Sequence, residues 1–393
     1  MLTATSYMPH ANYQSEKVIH RMKRLIGPLL ALLLLVGIGF AGYRSYTQNN
    51  LEQTARLQAE KIELVRGLIG SEKEGFYNDP RLHAVLRKNG LNVQFEKVGS
   101  RAIAQRTDLK TFDFAHPAGA PAALKIQAAV KSQQMFTPFF TPMVIASWKS
   151  LLPTLEREGL VKKEADNYYL VDMPRLVTMM DKGTRWKDLA DNTAYAVSKS
   201  VLVSSTDVRK SNSGAMYLAL ASYVANGNNV VQSDADVQKV LPLMTSIFLK
   251  QGFQESSSAG PFDDYVSMGI GKAPMVMIYE SQFLEYLARQ AAGKLPVNPD
   301  MVLLYPKPTI FTKHVFVGIS SAGAKLGQLL ESDPELQAMA VEYGYRTSAS
   351  GQFAKASADR KWSVPATLVD VIDPPSFEVL ERMVVEIEKK YSQ

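Results

Sequence analysis

The chain has 393 residues, 46% hydrophobic, 21% charged and 9% aromatic, a globular composition that excludes disorder and allows two or three folding units of about 100 to 200 residues. It has no cysteine, which excludes disulfide scaffolds, thiol catalysis, Cys-ligated zinc, iron–sulfur clusters and a lipid-modified cysteine. The net charge is +6, but residues 1–24 set Lys17, Arg21, Lys23 and Arg24 against Glu16, and the remaining 40 basic and 37 acidic residues describe no nucleic-acid binder.

Any membrane attachment must therefore come from the polypeptide. Residues 25–43 carry no charge, and at 1.5 Å per residue such a helix spans about 28 Å, close to the bilayer's hydrocarbon thickness. The basic flank keeps residues 1–24 in the cytoplasm and sends everything after Tyr43 outside. The expectation is a single-pass signal anchor in a bacterial inner membrane, with the main domain in the periplasm or outside the cell. A cleaved signal peptide is the rival, because Gly39-Phe40-Ala41 offers the small residues of a cutting site. The 24 polar residues ahead of the apolar run, and the missing lipoprotein cysteine, favour the anchor.

Asn50 to Arg66 places Leu51, Ala55, Ile62 and Val65 near one face among charged residues, so a stalk helix is expected over residues 44–66. After it, strand-like pieces (LVRGLIGS, LNVQFEKVGS, TFDFAHPAG) alternate with helix-like ones such as DPRLHAVLRKNG. That order argues for βαβ units, a mostly parallel sheet and the α/β class. Gln134 to Ser147 and Met301 to Ile310 are apolar but interrupted by proline, which suits segments crossing between lobes better than central strands. Between them the patterning predicts helices over 186–189, 214–225 and 234–250 and a buried strand over 274–279. Beyond them come helices over 322–330, 334–343 and 376–391. The expected division is 62–140 with 305–393 as lobe I and 141–304 as lobe II.

The order of these pieces carries a resemblance. A strand ending in Gly70-Ser71 and another ending in Gly99-Ser100 precede FDFAHPAGAPAA, the crossover FTPMVIASW and TDVRKSNSGAMYLAL. PMVMIYE, the return YPKPTI and LLESDPELQAMAVEYGYR follow. Residues 62–350 resemble the extracellular solute-binding proteins of the type 2 periplasmic class, the sulfate- and molybdate-binding branch in particular. The resemblance implies two α/β lobes joined by two crossing segments and closing on a small ligand. The transmembrane segment and the tail over 350–393 depart from that family.

Ser211, Asn212, Ser213 and Gly214 stand at the first turn of a predicted helix, where free N–H groups and the positive end of the dipole make an anion site. Glycine there admits close approach to the backbone. The same residues are also ordinary helix caps. Ser71 and Ser100 follow glycines at strand ends, and ligands of open parallel sheets bind beyond the strands' carboxyl ends. Arg209 offers a guanidinium to an anion, with a surface arginine as the plainer reading. Tyr279 and Glu280 also leave a strand, and the resemblance implies that a tyrosine here donates its hydroxyl to the ligand. Glu280 would repel a dianion, which points to a ligand that carries an amine or is protonated, and the plainer reading is a glutamate paired with a lysine such as Lys272.

Lys272 in MGIGK lacks the spacing of a phosphate loop, His83, His116 and His314 lack metal-ligand spacing, and no GxSxG or SxxK occurs. No catalytic residue, cofactor or metal is expected, and no enzyme. The expectation is a membrane-anchored extracytoplasmic solute-binding protein for a small polar, oxyanion-like ligand. Its partners would be that ligand, the bilayer at 25–43 and a membrane transporter or sensor subunit. The alternative is a tethered sensor or assembly protein that keeps the fold without transport.

Overall fold

The computed structural model describes residues 34–50, 62–164, 168–349 and 351–391. Residues 34–50 are helical and belong to a unit of their own, while Glu63–Gln393 form a second. In chain order this second unit has β1 (Glu63–Ile69), α1 (Pro80–Lys88), β2 (Leu91–Lys97), α2 (Ser100–Gln105), β3 (Phe114–His116), α3 (Ala120–Val130) and β4 (Gln134–Trp148). Then come β5 (Val161–Lys163), β6 (Tyr169–Asp172), α4 (Met173–Asp181), α5 (Asn212–Ala225), α6 (Asp234–Leu249), α7 (Ala259–Met268), β7 (Val276–Tyr279) and α8 (Glu280–Ala291). The last elements are β8 (Met301–Lys307), β9 (Thr309–Gly318), α9 (Ser321–Ser332), α10 (Pro334–Glu342), α11 (Gln352–Arg360), β10 (Val371–Ile372) and α12 (Phe377–Tyr391).

In the first lobe, β2, β1 and β3 run parallel and β9 lies antiparallel beside β3. Side chains of a strand alternate between faces, and the two cores divide accordingly. Val65, Ile69, Phe114 and Phe316 pack with α1, α9 and α10, whereas Leu68, Ala115, Val315 and Val317 pack with α2 and α3. Gly67 leaves room for the Phe114 ring, which a Cβ there would meet at 2.3 Å. The second lobe has one large core built on β4–β8 and α4–α8.

The two crossing segments are strands of the sheet itself. β4 pairs with β9 through Pro142, then with β7 from Met143 and with β8 from Ile145. Proline cannot donate to a ladder and is tolerated at irregularities. Pro138 sits in the register shift between Phe136 and Phe139, and Pro142 at the handover between neighbours. Pro308 likewise separates β8, which pairs with β4 and β6, from β9, which pairs with β4 and β3.

Four expectations change. Gln134 to Ser147 is a central strand, because its prolines fall where pairing is interrupted. The sheet is mixed, since β4 runs antiparallel to β8 and β9, and β9 antiparallel to β3. Glu63 to Arg66 begin β1 instead of ending a stalk helix; residues 51–61 of that stalk lie outside the described residues. The tail is shared between the cores: Phe377 packs against the cluster of Leu68, Ala115 and Val317, whereas Phe353, Ile372, Val379, Leu380, Met383, Val384 and Ile387 bury with the second lobe.

Residues 1–33, which hold the basic segment and the first part of the expected membrane span, lie outside the described residues. Among the described residues no helix is long and apolar enough to cross a membrane.

Candidate functional site at the seam between the lobes

Five chain ends meet where the lobes face one another. The first lobe contributes Ser71 after β1, Gly99 and Ser100 at the start of α2, and Gly119 after β3; the second contributes the starts of α5 and α8. The approach is close. Ser71 Oγ lies 3.2 Å from Ser257 Oγ, and Arg101 Nη1 donates to the Arg209 carbonyl at 2.7 Å. A Cβ on Gly99 would stand 2.5 Å from the Lys210 carbonyl oxygen, and one on Gly119 2.4 Å from Asn212 Oδ1. The glycines matter here for space, since both have negative φ.

Ser211 is the N-cap of α5, yet its side chain makes no capping bond. It lies 2.9 Å from Ser213 Oγ, which in turn is 2.8 Å from Thr206 Oγ1. Asn212 Nδ2 donates to the Tyr279 hydroxyl at 3.1 Å. A Cβ on Gly214 would be 2.7 Å from the Thr206 carbonyl oxygen, so this turn packs tightly on its own loop. Ser100 is buried and its Oγ accepts the Ala118 N–H at 2.8 Å. A cavity of about 40 Å³ remains between Ser100, Arg101, Ser211 and Asn212 on one side and Leu380, Glu381 and Val384 on the other, room for a few water molecules.

Beneath the seam lies a buried polar network. Lys73 is 0% exposed and pairs with Glu72. Its Nζ also lies 3.2 Å from His314 Nδ1, while Glu72 Oε1 is 3.4 Å from the same nitrogen. Tyr77 OH and His116 Nδ1 are 2.9 Å apart, and His116 Nε2 is 3.0 Å from the His314 carbonyl. Burial alone would raise the Glu72 carboxyl, but the Lys73 charge and the His314 hydrogen bond outweigh it and hold it well below the usual range. Burial, reinforced by the Lys73 charge, pushes His314 down to about 4. His314 is therefore neutral at pH 7, with Nδ1 placed between the Lys73 ammonium and the Glu72 carboxylate and Nε2 on the far side of the ring. That buried Nε2 has no hydrogen-bond partner among the described residues.

No family model and no curated protein sequence matches the chain. Solved structures do. The chain superposes on a periplasmic thiamin binding protein with a TM-score of 0.54 at 10% identity, covering 84% of this chain and 97% of that one. Iron-bound HitA from Pseudomonas aeruginosa gives 0.53 at 11% identity, covering 84% and 99%. The ferric binding protein from Campylobacter jejuni gives 0.53 at 10% identity, covering 84% and 98%. The fold is that of the periplasmic binding proteins. At these identities the likeness is one of fold.

Within this periplasmic-binding fold, Ser71, Ser100, the Ser211–Gly214 turn and Tyr279 all lie along the seam. Arg209 and Glu280 do not offer their charges to it. The Arg209 guanidinium bonds the buried Asp207 carboxylate at 2.8 and 2.7 Å and lies 4.4 Å from the centre of the Tyr391 ring. Glu280 is fully buried against Arg346, at 2.7 and 2.8 Å, and accepts the Tyr305 hydroxyl at 2.6 Å. Lys272 pairs instead with Asp264 at 3.7 Å. Sequence reasoning missed Glu72, Lys73 and His314; the adjacent Glu-Lys pair directly after a strand-ending serine was the available signal.

Proposed function

We propose that the chain is an extracytoplasmic solute-binding protein whose two lobes open and close about the β4 and β8–β9 crossings. Residues 62–142 with 309–349 would form one lobe and 143–307 the other, with the tail riding on the second. The ligand is small, polar and oxyanion-like, and is held by Ser71, Ser100, Ser211, Asn212, Ser213, Gly214 and Tyr279. The observation that carries this reading is the start of α5: an N-cap serine that caps nothing, in a helix N-terminus facing the other lobe, where backbone N–H groups and hydroxyls can replace an anion's hydration shell. Residues 25–43 would anchor the protein in the inner membrane, and the exposed Leu34, Leu35, Val36, Ile38 and Phe40 of the described helix support that placement. A cleaved signal would favour delivery to a membrane transporter, and a retained helix would favour sensing or scaffolding. A second reading, a tethered sensor or assembly protein, is supported by α12, which lies across the seam.

Mass spectrometry of small molecules released from the full chain purified in detergent tests the binding reading, followed by titration of whatever is found. A stoichiometric polar anion supports it, whereas no released molecule and no binding of sulfate, molybdate or carboxylates refutes it. N-terminal sequencing tests the anchor, and a mature chain starting at Gly42 refutes it.

A further inference from the structure

The tail that exceeds the family resemblance ends in a helix with two different faces. The apolar face of α12, formed by Val379, Leu380, Met383, Val384 and Ile387, is buried in the core of the second lobe. Arg382 pairs with Asp234 at the start of α6, and the Tyr391 hydroxyl donates to Gln254 Oε1 at 2.8 Å, on the same lobe. The polar face reaches the first lobe, where the helix's first residue, Phe377, also packs against the core beside Lys125. Glu381 receives the Arg101 guanidinium, with Nε 2.8 Å from Oε2, and Gln105 Nε2 at 3.2 Å. Glu378 receives Lys125 at 3.2 Å. Arg101, aligned by Glu381, is the residue whose Nη1 donates across the seam to the Arg209 carbonyl.

The asymmetry is one of strength. An apolar face buried in a core holds firmly, whereas ion pairs at a partly exposed surface are each worth little and are screened by salt. Lys125 and Glu378 are 44% and 61% exposed, and Arg101 and Glu381 23% and 24%.

We propose that α12 is a latch carried by the second lobe and fastened to the first by Glu381 on Arg101 and Glu378 on Lys125. The seam then opens only when these ionic fastenings release. This regulation presupposes the hinged, ligand-binding reading above, but its test needs no ligand. The cavity beside Ser100, Ser211 and Asn212 is walled by this helix, so exchange of a bound solute would wait on the same release.

Hydrogen exchange of backbone amides in the full chain, read by mass spectrometry, measures the opening. In the Glu378→Gln, Glu381→Gln double variant the amides of residues 99–104 and 211–216 should exchange about three- to tenfold faster than in the parent. The amides of β1 should keep their rate. Raising salt from about 0.05 M to about 1 M should speed the same seam amides in the parent and add little in the variant. Unchanged seam exchange under both changes overturns the latch, and so does equal acceleration of β1, which marks global loosening. Failure of the binding reading shows instead as no ligand in the mass-spectrometric search, whatever the seam amides do.

Discussion

The two buried glutamates, Glu72 beneath the seam and Glu280 beside the crossing strands, make an instructive pair. Glu280 has a bidentate arginine and a tyrosine hydroxyl, and Arg346 spends its other donors on the carbonyls of Pro365 and Ala366. Its network is complete. Glu72 shares Lys73 with His314, whose Nε2 has no hydrogen-bond partner among the described residues. Buried polar groups are nearly always satisfied, and an exception calls for an explanation of strain or function. The complete network ties Glu280 at the start of α8 to Tyr305 of β8 and to Arg346, which bridges β4 at Phe140, and so holds the hinge. The incomplete one lies where the lobes part.

The largest effect should come from breaking the complete network. Arg346→Ala leaves the Glu280 charge buried and uncompensated, and chemical denaturation should show a loss of about 3 to 5 kcal/mol. Changing both partners, Glu280→Gln with Arg346→Met, should recover part of it. A single-variant loss under about 1 kcal/mol would mean that Glu280 is not committed to the hinge.

Acid should attack the seam network first. His314 titrates near 4 in the fold against 6.5 unfolded, and His116 is also lowered, by burial first and then by the Lys73 and His314 charges. Because the unfolded chain binds these protons more readily, the stability they contribute is present above pH 6.5 and is lost as pH falls below it, for His314 down to about 4. Glu72, also lowered, extends the loss below the ordinary carboxylate range. Between pH 6.5 and 5 His314 should cost about 2 kcal/mol, and His116 acts in the same direction. The groups facing His314 are Lys73, Glu72, His116, Tyr279 and Tyr345. Denaturation midpoints of His314→Gln should depend less steeply on pH than those of the parent, and equal slopes would remove His314 from the account.

Gly99→Ala tests the fit of the lobes. Its Cβ meets backbone, not a flexible side chain, so the seam must shift at a cost of about 1 to 3 kcal/mol. Gly271→Ala, with nothing within 4 Å, is the control. Equal melting temperatures of the two variants would show that the seam yields freely. The smallest effect on stability is expected from Ser213→Ala, about 1 kcal/mol or less, because its hydroxyl bonds the neutral hydroxyls of Thr206 and Ser211. Ligand affinity should fall by about 1 to 3 kcal/mol if the hydroxyl serves a charged ligand. Unchanged affinity in a calorimetric titration would leave this turn as a helix start.

Much of the site was legible because one local rule, polar residues at strand ends and helix starts, applied to Ser71, Ser100, Ser211–Gly214 and Tyr279 alike. Glu280 obeyed the same rule and departed from it, because its partner Arg346 lies 66 positions away. The prolines of Gln134 to Ser147 signalled a crossing but concealed a central strand, since a proline shows what its own residue cannot donate and not where the ladder already has a gap. His314 was invisible in the same way, being 241 positions from Lys73.

By itself, then, the sequence determined what depends on neighbours along the chain: strand alternation, helix starts, the charge-free stretch at 25–43 and the positions of the two crossings. Only the tertiary structure decided which buried charges are paired, how the sheet mixes its directions, and that the tail's amphipathic helix lies across the seam. Periodicity tells a helix which face to bury, whereas the partner that buries it comes from a distant part of the chain that no local pattern encodes.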